Sequence, residues 1–429
     1  MTAPANSRRE APHESRLGLL RRAMSLTILD AIGKAMAFLA VIVIARQCGP
    51  EVLGQLSYAQ AVAAYALTAA NCGLELYAVR AVATASVPLP RLIPTIVILR
   101  LLTATTSFAV LILVTLSVSA FRSQFLVVSL YGLSAFSLAF SLSWVSQAVR
   151  KTYVMGLALA GAQVIYLVIV LLVASPTTAS WSVPLALVAG EFIVAALVFR
   201  WARAEVGELG SPLPVREALS LLRGALPIGV AQILRAFALG SDLVVVGVLL
   251  SFLSAGYYSS AFKLYAFGIS SIALYMTTIF PRIARLAHSD GSRLTRELVA
   301  SIGVMMTVGG PLLAVAAWFA GDLLAGLFGN DFRDAASALQ VMLATLVVYG
   351  VTAHFRSALI GLNRQRFDML AAGVVSLVHV GSKVVLGSHY GMTGVAVGGL
   401  IGEAVYMAIC AAGYGRTATA TRRPRGASA

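Results

Sequence analysis

The sequence predicts an all-α integral membrane protein with twelve transmembrane helices. Of its 429 residues, 59% are hydrophobic and only 11% are charged, whereas a soluble domain carries about 25% charged residues. The apolar residues lie in runs of about 20, the length at which a helix crosses a bilayer. Lipid cannot hydrogen-bond the backbone, so such runs form helices or a closed barrel. They are too continuously apolar for barrel strands, which alternate over about 10 residues.

Polar residues divide the apolar runs into twelve spans, and the longest connection, at 201–224, separates two sets of six. The sequence therefore predicts a cytoplasmic tail (1–22), an N-terminal lobe (23–200), a cytoplasmic linker (201–224), a C-terminal lobe (225–414) and a second tail (415–429). The spans are predicted at 24–45, 52–79, 92–119, 125–149, 153–174, 180–199, 225–250, 256–280, 298–327, 335–360, 369–387 and 393–414.

The positions of the basic residues predict the orientation. With a cytoplasmic N-terminus, 23 of the 32 Lys and Arg residues lie in inner segments, three lie in outer loops and six lie within spans. Because basic loops stay on the cytoplasmic side, both termini are predicted to be cytoplasmic. Contact of these loops with anionic lipid head groups accounts for the net charge of +15 without a nucleic-acid partner.

The sequence contains no nucleotide-binding loop and no hydrolase or metalloprotease motif. Its three cysteines lie far apart, without the spacing of metal ligands. We therefore expect no cofactor, no metal and no enzymatic activity, and any uphill transport must draw on an ion gradient or on the substrate's own gradient.

The two sets of six spans show signs of an internal repeat. The segment that opens span 2 (54–59, GQLSYA) and the one that opens span 8 (256–261, GYYSSA) share Gly, Ser and Ala in register. Glu191 and Glu403 lie in the middle of spans 6 and 12. Six is an even number, so the repeat is predicted to be parallel, about an axis along the membrane normal.

Ten ionisable residues fall at membrane depth, where each costs about 2.5–3.5 kcal/mol at the bilayer centre. This number predicts a hydrated cavity rather than a purely structural bundle, and cations at several depths suit a substrate with an anionic head group. The ten residues are Asp30, Lys34, Arg100, Glu191, Arg235, Asp242, Lys263, Arg356, Lys383 and Glu403.

The number of residues between neighbouring charges on a helix predicts which of them can pair. Asp30 and Lys34 are four apart on one helix face and can form a self-neutralised pair. Arg235 and Asp242 are two turns apart, so they line one wall without direct contact. Lys383 forms a basic stripe with the histidine one turn before it.

Glu191 and Glu403 are counter-ions, proton carriers or, as we prefer, hydrogen-bond partners between helices. A tandem GxxxG at 394–402 on span 12 predicts a helix-packing face.

Several local patterns occur in a characteristic order along the chain. They are Arg46-x-x-Gly49-Pro50-x-x-x-Gly54 with Tyr58, Trp144-x-x-Gln147, Asp242, Gly256-Tyr257-Tyr258-x-x-Ala261-x-Lys263, Phe280-Pro281 and Leu327-Phe328-Gly329. With these patterns the chain resembles the oligosaccharide (O-antigen and exopolysaccharide) flippase family of the multidrug/oligosaccharidyl-lipid/polysaccharide (MOP) exporter superfamily. One departure is that Ser141 and Ser143 stand where the family often has an acidic residue before the tryptophan.

The resemblance implies two six-helix lobes around a central cavity in a bacterial inner membrane. It implies alternating access to a polyprenyl-pyrophosphate-linked oligosaccharide on an undecaprenyl carrier, with a polysaccharide polymerase and glycosyltransferases as partners. Surface polysaccharides such as lipopolysaccharide and exopolysaccharide are the expected products. The substrate-binding role is assigned to Arg235, Lys263, Lys34, Lys383, Asp242, Arg100 and Arg356, and the coupling role to Asp30, Glu191 and Glu403.

Two other functions remain open. A drug or cation antiporter of the same superfamily would favour uncompensated carboxylates and aromatic residues in the cavity. A membrane-embedded polysaccharide polymerase or ligase usually needs a sizeable extracytoplasmic loop, and the predicted outer loops are all short.

Overall fold

The structure is a computed structural model that describes residues 16–84, 86–289 and 291–422, except for the side chains of residues 16–23, 119–120, 231, 234–235, 237–239, 288, 365 and 418–422. These residues are helical almost throughout and contain no strand, which confirms the predicted all-α fold class. In chain order the helices are α1 (Arg16–Asn71), α2 (Leu74–Ala83), α3 (Leu89–Ser117), α4 (Ser119–Arg122), α5 (Phe125–Gly132), α6 (Ser134–Phe140), α7 (Ser143–Ala148), α8 (Tyr153–Val173), α9 (Ala179–Val206), α10 (Val215–Leu249), α11 (Phe252–Ser289), α12 (Gly291–Trp318), α13 (Ala320–Phe328), a 3₁₀ helix (Asn330–Ala335), α14 (Ala336–Gly361) and α15 (Gln365–Arg422).

Nine apolar helical stretches in the described part of the chain are long enough to cross a membrane. Two of them, Met24–Ala83 and Arg366–Thr417, contain a glycine with non-helical dihedral angles and cross twice. The remaining crossing is α10, a helix of 35 residues from Val215 to Leu249. The described part of the chain therefore has the twelve crossings that the sequence predicts.

Both reversals occur at a glycine because the backbone there is left-handed. The φ angle is +80° at Gly49 and +62° at Gly391, a conformation in which a Cβ atom would clash with the backbone. Beyond Gly391, span 12 returns along span 11, and Gly402 packs against the ring of His379. The predicted GxxxG face is therefore a packing face between these two spans.

Some elements extend further than predicted. Helix α9 continues to Val206 and α10 begins at Val215, so the non-helical part of the linker is only 207–214. This segment packs on span 3, where the backbone N–H of Leu213 donates to the Thr95 hydroxyl at 2.9 Å. At the other terminus α15 continues to Arg422.

Three buried apolar clusters show how the two lobes meet. We call the end of the bundle that holds Arg46, Arg122 and Arg333 the outer end, after the predicted orientation, and the opposite end the inner end. At the outer end, residues from both lobes form a single core that includes Tyr58 and Tyr258. At the inner end there are two separate cores, one within 74–225, which includes Leu221 and Ala225 of α10, and the other within 276–414. The lobes therefore share one core at the outer end, whereas at the inner end they meet where span 2 packs on span 7.

Candidate functional site

The lobes make their closest contact where span 2 crosses span 8 near the outer end. A Cβ atom on Gly54 would overlap the carbonyl oxygen of Phe252, and one on Gly256 would overlap that of Pro50. One turn further inward, the hydroxyls of Ser57 and Ser259 hydrogen-bond at 2.7 Å. Small residues allow this approach because nothing projects between the two backbones. We call this contact the outer seal.

A single face of α11 leads from the outer seal towards the middle of the membrane. Phe252, Gly256, Ser259 and Lys263 are spaced by three or four residues, so they lie on one face of the helix. The first three touch span 2. On the same face further inward, Phe267 is 74% exposed. Lys263 therefore lies at the level where the N-terminal lobe ceases to cover this face.

A cavity of about 180 Å³ lies between the lobes at this level. Span 2 forms one wall, and spans 7 and 8 form the other. The lining residues are Ala61, Ala64, Tyr65, Ala236, Gly240, Asp242, Leu243 and Phe262. Asp242, one of the predicted site residues, is therefore placed at the interface of the lobes.

Asp242 is neutralised by Lys383. One carboxylate oxygen of Asp242 accepts a bond from the Lys383 ammonium, and the other accepts one from the Tyr258 hydroxyl at 2.6 Å. Lys383 is only 3% exposed. The predicted basic stripe on span 11 therefore does not face the cavity with a free charge, because its lysine ties span 11 to span 7 inside the C-terminal lobe.

Arg100 is buried in the N-terminal lobe at two breaks in the helices. Its guanidinium donates to Asn71 and Glu75, which flank the break between α1 and α2. It also donates to the carbonyls of Leu138 and Ser141, where span 4 is broken, at 3.2 and 2.9 Å. Broken helices are tolerated at membrane depth only where protein groups satisfy the freed backbone atoms. Arg100 supplies that compensation.

Arg356 is held in a similar way in the C-terminal lobe. It pairs with Asp368 at 3.0 and 3.3 Å and lies 5.3 Å from the centre of the Tyr406 ring. The Tyr406 hydroxyl donates to the same aspartate at 2.8 Å. These contacts join spans 10, 11 and 12 near the inner end.

The other predicted residues differ in their partners. Lys34 and Asp30 form a 2.7 Å ion pair with half-exposed side chains, as their spacing predicts. Glu191 accepts a hydrogen bond from Ser137 at 2.7 Å, consistent with a role in helix packing. One carboxylate oxygen of Glu403 has no partner among the described residues.

Arg235 lies on α10, but its side chain lies outside the described residues. Of the five predicted cations whose side chains are described, Lys263 alone has no hydrogen-bond or ion-pair partner among the described residues. It is half-buried and adjoins the cavity-lining Phe262. Within the part of the chain that the structure describes, no three His, Cys, Asp or Glu side chains are grouped as a metal site.

Sequence reasoning did not identify the residues that form the outer seal as a contact. The shared Gly, Ser and Ala of segments 54–59 and 256–261 indicate a repeat, and Ser57 and Ser259 lie at equivalent positions in it. In a parallel repeat, residues close to the symmetry axis meet their own copies. Applied to segments 54–59 and 256–261, this rule predicts the contact between Ser57 and Ser259.

Comparisons with known proteins agree with this architecture. Residues 19–287 match the family model described as polysaccharide biosynthesis protein. Among curated proteins, no significant match is found. A multidrug resistance MATE family transporter of the MOP superfamily, in an inward-facing conformation, superposes with a TM-score of 0.72 at 17% identity, covering 94% of this chain and 100% of that one.

Two further solved structures share the fold. The lipid II flippase MurJ in an inward closed conformation gives a TM-score of 0.65 at 13% identity, covering 91% of this chain and 87% of that one. An outward-facing MATE family transporter gives 0.57 at 16% identity, covering 94% and 97%.

Proposed function

The chain belongs to the polysaccharide biosynthesis protein family, and from that premise we propose that it flips a polyprenyl-pyrophosphate-linked oligosaccharide across a bacterial inner membrane by alternating access. The protein is a multi-pass membrane protein with the fold of MOP-superfamily transporters. A protein of the same fold is named as a lipid II flippase. We further propose that both termini are cytoplasmic and that the protein itself catalyses no reaction.

The observation that carries this proposal is the ammonium of Lys263, which has no partner among the described residues and adjoins the cavity between the lobes. A cation without a protein acceptor at membrane depth is costly unless it faces water or an anionic ligand. A pyrophosphate offers several anionic oxygens for charge-assisted hydrogen bonds. Lys263 lies immediately inward of the outer seal, where a head group entering from the inner side would stop.

The acidic residues support the same substrate. A cation antiporter requires a carboxylate that exchanges its cation, but Asp242 at the interface is already held by Lys383 and Asp368 by Arg356. Glu191 and Glu403, which form no ion pair among the described residues, are not among the residues that line the cavity. Among the described residues, these pairs leave the positive charge of Lys263 uncompensated near the interface. The local charge therefore favours an anionic cargo over a cationic drug.

At the inner end, the gap between spans 1 and 8 offers a path for a lipid tail. Spans 2 and 7 do not leave such a gap, since Gly229 packs on the Cys72 backbone and Gly224 on the Tyr77 ring. The inner half of span 1 instead packs on span 5, where Gly33 meets Ala160. The inner part of span 8 packs on spans 9 and 10. We propose that the tail stays in the inner leaflet between spans 1 and 8 while the head group occupies the interface.

Deletion of the gene in its host tests this function. We expect lipid-linked oligosaccharide to accumulate on the cytoplasmic face, surface polysaccharide to be lost and sensitivity to cationic drugs to stay unchanged. The sidedness of the lipid-linked sugar is measured with a membrane-impermeant glycan-cleaving enzyme applied to cells and to inverted vesicles. A mutant that keeps its polysaccharide and becomes drug-sensitive would show that the protein is an antiporter.

A further inference from the structure

The C-terminal end of α13 is bound by an arginine from the other lobe. The Nε of Arg46, at the outer end of span 1, donates to the carbonyl of Leu327 at 2.8 Å, and its terminal NH2 group donates to the carbonyl of Gly326. These carbonyls belong to the last turn of α13, which ends at Phe328. The last carbonyls of a helix have no partner within the helix and carry partial negative charge, so a guanidinium binds them well.

The surroundings of Arg46 add to this attraction. A cavity of about 270 Å³ adjoins the guanidinium, and Asp331 is among its lining residues. Below it, Phe38 of span 1 packs edge-on against Phe328 with ring centres 5.9 Å apart, and Phe328 contacts Phe332 at 5.7 Å. A charged contact at the rim and an aromatic contact beneath it therefore connect span 1 to the segment between spans 9 and 10.

We propose that Arg46 is the latch of the outer gate, holding the two lobes together in the inward-facing state and releasing α13 when the protein opens outwards. At the outer end the lobes share one core, so outward opening must separate the surfaces that Arg46 connects. A group that stabilises one of two states shifts the population by its differential interaction with them. Arg46 therefore biases the protein towards the inward-facing state.

The chain provides a matched control in Arg122. This arginine is also at the outer end and also donates to a carbonyl near the end of a helix, that of Leu116 in α3, at 3.1 and 2.8 Å. Its acceptor lies in its own lobe. Arg122 therefore resembles Arg46 in charge, location and type of bond but does not connect the lobes.

The experiment measures accessibility of the interface from each side of the membrane. In a variant without native cysteines, Ala64→Cys places a thiol on the cavity wall inward of the outer seal. A membrane-impermeant maleimide is applied to intact cells and to inverted vesicles. We expect Arg46→Ala to raise the labelling rate from outside by about tenfold and to lower the rate from inside, as loss of a charged hydrogen-bond pair implies. Arg46→Lys should give an intermediate rate and Arg122→Ala the parental rate.

The inference rests on the alternating access of the proposed function but not on the cargo. Equal labelling rates in Arg46→Ala and the parent, or an equal shift in Arg122→Ala, would overturn the latch. Arg46→Gln keeps a hydrogen-bond donor without the charge, so its labelling rate should fall between those of Arg46→Ala and the parent. This variant replaces Arg46→Ala in the test if the alanine variant is poorly produced. Failure of the proposed function shows differently, because the parental gene would then not restore surface polysaccharide to a deletion strain.

Discussion

Ser57 and Ser259 occupy the same position in the two repeats, and their hydroxyls hydrogen-bond to each other at 2.7 Å. Two equivalent residues meet in this way only on the axis that relates the repeats, so the axis passes between spans 2 and 8. Lys263 follows Ser259 by four residues, and its counterpart in the N-terminal lobe is Ala61. The repeat therefore places one cation, without a copy, beside its axis.

The glycines of the outer seal give the first prediction. Gly54→Ala and Gly256→Ala should each prevent the lobes from closing at the outer end, because the new Cβ would overlap a backbone carbonyl of the other lobe. Overpacking of this kind costs about 1–3 kcal/mol. We expect the outward-facing state to accumulate and export to fall about tenfold or more, measured as surface polysaccharide and as outside labelling of a cysteine at position 64.

Gly309→Ala is the control for these variants. Gly309 is also within a transmembrane helix, but a Cβ there would meet no atom within 4 Å. It should export at the parental rate. Normal export by Gly54→Ala would mean that the outer seal is looser in the membrane than the backbone contact indicates.

Arg100 gives a prediction about stability rather than transport. Arg100→Met should lower the free energy of unfolding by about 3 kcal/mol or more, because Glu75 and two carbonyls lose their donor inside the lobe. Arg100→Lys should recover only part of this, since one ammonium cannot reach acceptors at both helix breaks. Thermal unfolding in detergent measures the effect, and an unchanged melting temperature for Arg100→Met would contradict the structural role.

The pair of Asp242 and Lys383 calls for a double-mutant cycle. Asp242→Asn and Lys383→Met should each destabilise the protein by about 3–5 kcal/mol, since each leaves the other charge buried and unpaired. The double variant should be more stable than either single variant. Additive losses in melting temperature would show that the two residues do not depend on each other.

The fold could be read from the sequence because it follows from local properties. Apolar length, basic loops and glycine at a left-handed turn act through neighbouring residues, so the spans and the reversal at Gly49 leave clear patterns. The two helix breaks bridged by Arg100 are harder to predict from the sequence. A helix at membrane depth breaks only where other protein groups hydrogen-bond the freed backbone atoms, and here the donor is distant in sequence. Nothing near Asn71 or Ser141 in sequence indicates that partner.

The site was harder to predict because the partner of each charge depends on tertiary structure. Asp242 and Lys383 are 141 residues apart and form an ion pair, while Arg46 binds carbonyls 280 and 281 residues away. Sequence reasoning counted both lysines, Lys263 and Lys383, as available to the substrate. Only the packing distinguishes Lys383, which is paired, from Lys263, which has no partner among the described residues.

Orientation gives a further prediction. Single cysteines in place of Ser251 and Ser388, which are exposed near one end of the bundle, should react with an impermeant maleimide in intact cells. Cysteines in place of Ser211 and Ser292, exposed near the other end, should react only after the cells are permeabilised. The opposite pattern would reverse the predicted orientation.

The last prediction concerns Lys263, whose substitution distinguishes a flippase for an anionic lipid-linked sugar from an exporter of cations. An anionic head group needs a cation at the interface, so Lys263→Ala should reduce export of the lipid-linked sugar about tenfold to a hundredfold, and Lys263→Arg should keep a large part of it. Lys263→Glu should be at least as defective as the alanine variant, because it repels the head group. The melting temperature should change little in Lys263→Ala, since Lys263 has no partner among the described residues.

Moving the cation to its repeat-related position is the sharpest control. Ala61 lines the interface cavity on the wall formed by span 2, so Ala61→Lys combined with Lys263→Ala restores a charge beside the repeat axis. We expect this double variant to export more than Lys263→Ala alone. If the cargo is cationic, the double variant should instead export less than Lys263→Ala alone, because the added positive charge at the interface would repel the cargo. Export by Lys263→Glu above that by Lys263→Ala would therefore assign the cavity to cations.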